Sequence, residues 1–327
     1  MYFIVIPLSY FTNSSTTSQC SKPVGITKLE ADGMFHSQDS QDKCLLQHYF
    51  PNLCHGRYLE VGSGDGDKQS NTYAFYNLQD IGWRGVNVEV DHVNYEKLIG
   101  NRKDDTNVHA STFCSESQEV IHYAKPKVDD DVGGLWEYST PEQRNQWWPE
   151  YTLDLVPVQC TTLQDIIDEA AIDTTDKQYF DFMSLNIEDA AASFERRGLP
   201  QEVELTALKG IDFDRVSFGV IIIGKQGSDE YGKEVDADIE ELLTSAGYDK
   251  AVDEAKACGT HTNWFVNKDF EAIYEDYTIM KSSSDDASKE EALSVKRRNL
   301  RGNTGHILNY MFPESKDRFH SSASVEA

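Results

Sequence analysis

Three glycines at alternate positions, just behind an acid, form the first stretch of the chain that suggests a chemical role. The stretch Glu60-Val61-Gly62-Ser63-Gly64-Asp65-Gly66 has the pattern acid-x-Gly-x-Gly-x-Gly. Glycine has no Cβ, so the backbone N–H groups of such a loop can approach a ligand closely. Glu89 follows at a spacing that lets a carboxylate accept hydrogen bonds from both hydroxyls of a ribose. The expected ligand therefore contains a nucleoside.

The charge of the loop indicates which nucleoside. A dinucleotide site has the pattern G-x-G-x-x-G, and Asp67 stands where its last glycine belongs. An anionic loop suits a pyrophosphate badly, but it suits the cationic sulfonium and ammonium groups of S-adenosylmethionine (SAM). An NAD-dependent oxidoreductase and a plain structural turn remain as alternatives.

The residues around the loop predict a β-α-β unit that would position it. Tyr58 to Val61 reads as a buried parallel strand, and Val86 to Val90 reads as a second strand with Glu89 near its carboxyl end. Ser70 and Asn71 can cap the helix between them. A third strand ends in Ser111-Thr112, whose polar groups would face the adenine edge, because ligands lie outside the carboxyl ends of such strands.

Several short motifs, taken in order and with their spacing, resemble the FkbM family of SAM-dependent methyltransferases, and the resemblance covers most of residues 35 to 270. The motifs are His36-Ser37-Gln38, Gln41-Asp42-Lys43, Glu60-Val61-Gly62, Asp65-Gly66, Ser70-Asn71-Thr72, Gly82-Trp83-Arg84-Gly85, Asn101-Arg102 and Asp181-Phe182-Met183-Ser184-Leu185. The resemblance implies an α/β, Rossmann-like class I methyltransferase fold with a mostly parallel seven-stranded sheet and helices on both faces. It also implies methylation of a hydroxyl on a sugar or natural product. The predicted cofactor site comprises Glu60, Gly62, Ser63, Gly64, Asp65, Gly66, Asn71, Thr72, Glu89, Ser111 and Thr112.

The candidate catalytic groups lie at the end of the fourth strand. The family carries an aspartate and then Glu-Gly-x-Glu. This chain has Asn186 in place of the aspartate and keeps Glu188 as the first glutamate. Asp189 replaces the glycine, and Ala191 replaces the last glutamate. An amide cannot take a proton, so Glu188 is the preferred candidate base, with a structural role as the alternative. His261 is a further candidate base, although a loop residue is the simpler interpretation. No metal site is predicted.

Residues 115–152 form an aromatic insertion between strands that contains Trp136, Tyr138, Trp147, Trp148 and Tyr151. Long aromatic insertions are often substrate lids, and aromatic faces suit sugar rings. A role in the core or in a dimer contact is the alternative.

The composition and the two ends of the chain limit the possible partners, the domain boundaries and the compartment. The formal charge of −26 over 327 residues argues against nucleic acid as a partner, which needs a basic surface. Residues 1–34 are expected to be a leader, either disordered or the remnant of a signal or anchor, because the apolar run from Tyr2 to Phe11 is too short to span a bilayer. Residues 35–275 form the predicted methyltransferase domain, and residues 276–327 a disordered tail. The expected compartment is the cytoplasm by default, or the secretory pathway if the apolar run is a signal or a truncated anchor.

The cysteines indicate no zinc site, because none of them forms a C-x-x-C pair. They are Cys20, Cys44, Cys54, Cys114, Cys160 and Cys258. Their positions in apolar stretches favour reduced core thiols, with an oxidised pair left open, for example in the N-terminal part.

Together these features predict a SAM-dependent O-methyltransferase acting on a small-molecule acceptor such as a saccharide or natural product. Two alternatives stay open. One is a relative that keeps the pocket but serves as a binding or interaction protein, and the other is the NAD-dependent oxidoreductase. The sequence does not indicate the acceptor or the oligomeric state.

Overall fold

The fold is built on a ten-stranded sheet with the strand order β5-β4-β6-β3-β2-β1-β7-β8-β10-β9. The computed structural model describes residues 25–114, 117–126, 134–139, 141–148, 153–170, 178–187, 202–226, 229–251, 259, 261–271 and 273–274. The strands are β1 (Arg57–Val61), β2 (Arg84–Glu89), β3 (Thr106–Ser111), β4 (Val120–Pro126), β5 (Gly134–Leu135), β6 (Leu153–Cys160), β7 (Gln178–Leu185), β8 (Val216–Gly224), β9 (Tyr248–Lys250) and β10 (Thr262–Asn267). The helices are α1 (Ile26–Ala31), α2 (Gln41–Cys44), α3 (Tyr73–Asn77), α4 (His92–Asn101), α5 (Pro141–Trp147), α6 (Leu163–Glu169), α7 (Val203–Lys209) and α8 (Glu230–Ser245).

The centre of the sheet is parallel and its two edges are antiparallel. Strands β6, β3, β2, β1, β7 and β8 run in one direction. On one side β10 and β9 are antiparallel additions, and on the other side β4 and β5 are. The carboxyl ends of β1, β2, β3, β7 and β8 therefore lie along one edge, where a ligand of such a sheet binds.

Burial on both faces explains why the central strands are almost continuously apolar. Successive residues of a strand point to opposite faces, so Tyr58 packs into one hydrophobic cluster and Leu59 into another. The first cluster includes Trp83 and Trp264, and the second includes Val88 and Ile221. A parallel strand covered on both faces needs this composition.

The α/β methyltransferase-type fold expected from the sequence is confirmed, but the sheet has ten strands where seven were expected. Three of them, β6, β4 and β5, continue the sheet beyond β3, and two come from the predicted aromatic insertion. Strand β6 joins β3 through only two register pairs, Ala110 with Gln159 and Ser111 with Cys160. Strands β4 and β5 of the insertion thus form an added antiparallel edge.

A disulfide between Cys114 and Cys160 reinforces that short junction and closes a loop of sequence separation 46. Cys44 and Cys54 are disulfide-bonded as well. The expectation of reduced core thiols was wrong for these four residues. Apolar surroundings are shared by free cysteines and by buried disulfides, so the sequence pattern could not separate the two.

The region before β1 differs from the single helix expected over residues 36–50. The α-helix begins only at Gln41, after Ser40 in a left-handed conformation, and it changes to π-helical winding from Leu45 to Tyr49. Helix α1 lies within the predicted leader and buries Leu29. The rest of that leader, residues 1–24, and the predicted tail lie outside the described residues. Among the helices that the structure describes, none is long and apolar enough to cross a membrane.

Candidate functional site

The glycine loop turns sharply at the carboxyl end of β1. Gly62, Gly64 and Gly66 all have positive φ angles, of 78°, 56° and 75°. The loop is fastened to the next strand because Gly62 and Ser63 donate their N–H groups to the Val88 carbonyl at 2.9 and 3.2 Å. The predicted β-α-β unit thus has its loop at the edge where the strands end.

The two sides of this loop face different surroundings. A Cβ added at Gly62 would lie 2.0 Å from the Asn186 carbonyl oxygen, so that glycine is required by the packing of β1 against β7. A Cβ added at Gly64 would meet no atom within 4 Å. Open space beside a backbone in a left-handed conformation is what a closely approaching ligand needs.

Glu89 ends β2 directly beside the loop. Its side chain is completely buried, and its two oxygens accept the N–H groups of Gly64 at 2.6 Å and of Asp91 at 2.7 Å. Burial, followed by repulsion from Asp91, raises the pKa of the Glu89 carboxyl to about 8. Each oxygen keeps a further lone-pair direction that could accept a ligand hydroxyl.

Glu60, near the end of β1, binds the polar residues that follow the glycine loop. Its buried carboxylate accepts the Asn71 N–H at 2.7 Å and the Thr72 hydroxyl at 2.6 Å, and also binds the Ser70 hydroxyl. Burial raises the pKa of Glu60, although Arg102 and these hydrogen bonds oppose the increase. Ser70 and Asn71 were expected to cap α3, but the N-cap is Thr72 and makes no side-chain cap hydrogen bond. Ser70, Asn71 and Thr72 instead donate hydrogen bonds to the buried carboxylate of Glu60.

Two buried polar atoms among the predicted cofactor residues have no hydrogen-bond partner. Asn71 donates its amide N–H to the Ser184 hydroxyl at 2.8 Å, and its own Oδ1 is unpaired. The Ser111 hydroxyl at the end of β3 is also unpaired, next to the buried Thr112. An acceptor near an open, acidic loop fits an ammonium group, and a hydroxyl beyond β3 fits a nucleobase edge, so this donor and acceptor set fits SAM.

The side chain of Asp65 has a turn-forming role. Its Oδ1 accepts the N–H groups of Asp67 and Lys68 at 3.0 and 2.9 Å, and its carbonyl accepts the Asn101 amide at 2.8 Å. This Asx turn shapes the exit of the glycine loop.

Asn186, one of the candidate catalytic residues, follows directly after the carboxyl end of β7. Asn186 is half-buried and donates its N–H to the Val61 carbonyl at 3.0 Å, which brings it against the glycine loop. Its side-chain oxygen lies 2.8 Å from where a Cβ of Gly224 would be, so the glycine at 224 makes room for this side chain. Glu188 lies outside the described residues. Sequence reasoning missed Glu204, a fully buried acid on α7 that accepts the Ile187 N–H at 3.2 Å.

The segment before α2 crosses the same edge of the sheet. His36 stacks on Tyr73 with ring centroids 3.5 Å apart and pairs with Asp67 at 2.7 Å. At the other end of the segment, Asp39 pairs with His261 at 2.8 Å. The His261 side chain is 78% exposed.

The insertion touches the site through β4. The Tyr123 hydroxyl donates to the carboxylate of Asp91, whose N–H is bound by Glu89. Leu135 and Trp148 are buried, and Leu135 belongs to the main core. Tyr123 also belongs to the main core, so the described aromatic residues of the insertion include a core residue. The contact of Tyr123 with Asp91 links the insertion to Glu89 at the end of β2.

Arg102, which sequence reasoning gave only as part of a motif, is fully buried behind the loop and donates to the Gly66 carbonyl at 2.6 Å. Over the part of the chain that the structure describes, no group of three or more His, Cys, Asp or Glu residues could hold a metal ion.

Comparison with known proteins identifies the family to which the chain is similar. The family described as "Methyltransferase FkbM domain" matches residues 60–250, which is more than half of the chain. No curated protein sequence matches the chain.

Solved structures with a similar arrangement are remote in sequence. A TehB-like SAM-dependent methyltransferase from Corynebacterium glutamicum is 11% identical, with 74% of this chain and 94% of that chain covered and a TM-score of 0.34. A SAM-dependent methyltransferase from Aquifex aeolicus is 12% identical, with 74% and 97% covered and a TM-score of 0.32. A methyltransferase from Pyrococcus furiosus is 14% identical, with 68% and 79% covered and a TM-score of 0.31.

Proposed function

The chain belongs to the methyltransferase FkbM family, and from that membership we propose that it binds SAM at the Gly62–Gly66 loop and methylates a hydroxyl of a small-molecule acceptor. The observation that carries the proposal is the unpaired Asn71 Oδ1 at the predicted cofactor site. A buried amide oxygen without a partner costs about 1–3 kcal/mol, and a ligand ammonium group would remove that cost.

The other residues of the site fit the remaining parts of the same ligand. The open side of Gly64 admits a close backbone contact, and Glu89 has the lone pairs to accept ribose hydroxyls. The Ser111 hydroxyl can hydrogen-bond with the nucleobase. When bound, SAM supplies an activated methyl group on a cationic sulfur, which the acidic surroundings stabilise.

The chain's own residues would align the acceptor hydroxyl and remove one proton. Alignment and exclusion of water contribute most to a displacement of this kind. Glu188 is the proposed base, with Asn186 orienting the hydroxyl by hydrogen bonds, and part of the 115–152 insertion is the proposed cover of the acceptor. A sugar or similar polyol is the proposed acceptor, because the insertion is rich in aromatic residues.

One observation supports a second candidate, a binding protein that retains the fold. Asn186 stands where the family pattern has a carboxylate, so proton removal has lost one acid at the tip of β7. Such a protein would bind SAM but would not transfer its methyl group.

Calorimetric titration with SAM, its demethylated product S-adenosylhomocysteine and NAD tests the cofactor. We expect SAM and S-adenosylhomocysteine to bind with micromolar affinity and NAD not to bind. Binding of NAD without binding of the other two would refute the proposal. Transfer of labelled methyl groups to a panel of mono- and oligosaccharides then tests the activity. Tight SAM binding with no transfer to any hydroxyl acceptor would favour the binding protein.

A further inference from the structure

Arg102 is a buried arginine at the end of α4, and its guanidinium has 0% exposure. A charge removed from water is tolerated only when partners replace its hydration. Two acids provide the countercharge, since Asp105 lies 3.9 Å away and the buried Glu60 interacts with the guanidinium electrostatically. The ring of Tyr76 lies 4.8 Å from the guanidinium carbon and covers one face.

The hydrogen bonds of Arg102 join two separate stretches of the candidate site. Nε donates to the Gly66 carbonyl at 2.6 Å, which fixes the end of the glycine loop. The terminal nitrogens donate to the Ser70 hydroxyl at 2.8 Å and to the Thr72 carbonyl at 3.3 Å. Asn71, whose Oδ1 is unpaired, is therefore held between two residues that Arg102 binds.

The third glycine of the loop is explained by this arginine. A Cβ at Gly66 would lie 2.8 Å from Cγ of Arg102 and 2.7 Å from Cδ1 of Leu98. Gly66 thus makes room for a protein side chain, whereas the open side of Gly64 faces no protein atom. The pattern Gly-x-Gly-x-Gly combines one glycine for the ligand and one for the arginine behind it.

We propose that Arg102 is a positioning residue for the cofactor site. It is fully buried behind the loop, and it holds the Gly66 carbonyl and the Ser70–Thr72 turn in the relative position that aims Asn71 Oδ1 at the ligand. The inference rests on the proposed function, because the ligand it serves is SAM. A planar fork with separate donors is needed for this role, so a lysine of equal charge cannot replace it.

The test compares Arg102→Lys with Arg102→Met and with two controls. Arg215→Lys changes an exposed arginine that binds Asp168 at 2.9 Å, away from the loop. Leu243→Ala removes buried volume from α8, which contributes no residue to this hydrogen-bond network, and supplies a destabilised but intact site. SAM affinity is measured by calorimetry well below each melting temperature, and hydrogen exchange is followed without ligand.

Arg102→Lys is expected to weaken SAM binding at least tenfold, and to speed exchange of the Asn71 and Gly66 amides more than that of amides in β8. Leu243→Ala is expected to change SAM affinity less than twofold, although it should lower the melting temperature about as much as Arg102→Lys does. If Arg102→Lys matches Arg215→Lys in both affinity and exchange, the positioning role is refuted.

Two further outcomes separate this inference from the proposed function. If the wild-type chain binds no SAM, the proposed function fails, and the exchange rates alone then decide whether Arg102 orders the loop. If Arg102→Met does not fold, Ser70→Ala replaces it, because that change alters little volume and removes one acceptor of the guanidinium together with one donor to Glu60. Ser70→Ala should then weaken SAM binding several-fold, and an unchanged affinity counts against the proposal.

Discussion

The Glu89 carboxylate accepts the Gly64 N–H at 2.6 Å, so the acid at the end of β2 fixes the backbone of the glycine loop directly. A ligand that donates hydrogen bonds to Glu89 therefore meets the open side of Gly64 at the same time. The acid has two tasks, one toward the loop and one proposed toward the ribose.

Replacing Glu89 by alanine should weaken SAM binding by about 2 kcal/mol, or about thirtyfold, because two hydrogen bonds to this carboxyl, each worth about 1 kcal/mol, are lost. Calorimetry on both proteins measures the change. Glu96→Ala is the matched control, since this acid is on the neighbouring α4 and its side chain is 56% exposed. An affinity unchanged by Glu89→Ala would mean that the ribose binds elsewhere.

The same carboxyl should make stability depend on pH. Its pKa is about 8 in the folded protein and near 4.5 when unfolded, so between these values the folded chain holds a proton that the unfolded chain releases. Its contribution to stability is complete below pH 4.5 and is lost as the pH rises through 8.

Urea unfolding of wild type and Glu89→Gln from pH 5 to 8.5 isolates this carboxyl from other titrating groups. The difference in unfolding free energy should change with pH, by at most about 1.4 kcal/mol per pH unit for one proton. Parallel pH profiles for the two proteins would show that Glu89 has an ordinary pKa.

Alanine at two glycines of the loop should have opposite consequences. Gly62→Ala places a Cβ 2.0 Å from the Asn186 carbonyl and should destabilise the fold by about 3 kcal/mol or more. Gly64→Ala meets only backbone strain of about 1 kcal/mol, so the chain should fold but bind SAM at least tenfold more weakly. Thermal unfolding and calorimetry compare the pair, and full SAM binding by Gly64→Ala would contradict the proposed position.

Removing the Cys114–Cys160 disulfide should lower the unfolding free energy by about 4 kcal/mol, because it closes a loop of sequence separation 46. The double change Cys114→Ala and Cys160→Ala avoids an unpaired thiol, and urea unfolding under non-reducing conditions measures the loss. An unchanged midpoint would mean that the β3–β6 junction does not limit stability.

Changes at Glu188 and Asn186 test whether the chain removes a proton. Glu188→Gln should preserve SAM affinity and slow methyl transfer about a hundredfold, the scale of a positioned base. Asn186→Asp should raise the rate at neutral pH, because a second carboxylate joins the site. Single-turnover assays with labelled SAM measure both, and equal rates in all three proteins would direct attention to His261.

The local pattern of the sequence was sufficient for the first half of the sheet. The strand before Gly62, the loop itself and Glu89 at the end of the second strand could all be predicted, because strand burial, glycine conformation and β-α-β geometry act over short distances. The tasks of Glu60 and Arg102 could not, since both depend on which side chains meet behind the loop after folding.

The pairing of the strands beyond β3 could not be predicted from local sequence patterns, for a different reason. Strand β4 pairs with β6 across the insertion, and Cys114 meets Cys160 only when that pairing is complete. The aromatic residues suggested a lid, which stays a prediction, and the structure shows that two of them, Tyr123 and Trp148, are buried. Composition records that such residues are apolar, but not which surface covers them.

The disulfide between Cys114 and Cys160 also makes the folded chain responsive to the thiol chemistry of its surroundings. Oxidised pairs persist in secretory compartments, the periplasm and the extracellular space, and are rare where glutathione keeps thiols reduced. In a two-electron exchange about 30 mV changes the equilibrium tenfold, so surroundings more reducing than the bond itself would release the edge carrying β4 and β6 from its covalent link to β3. Reduction of this disulfide would therefore remove a covalent link three residues after Ser111, next to the proposed nucleobase site.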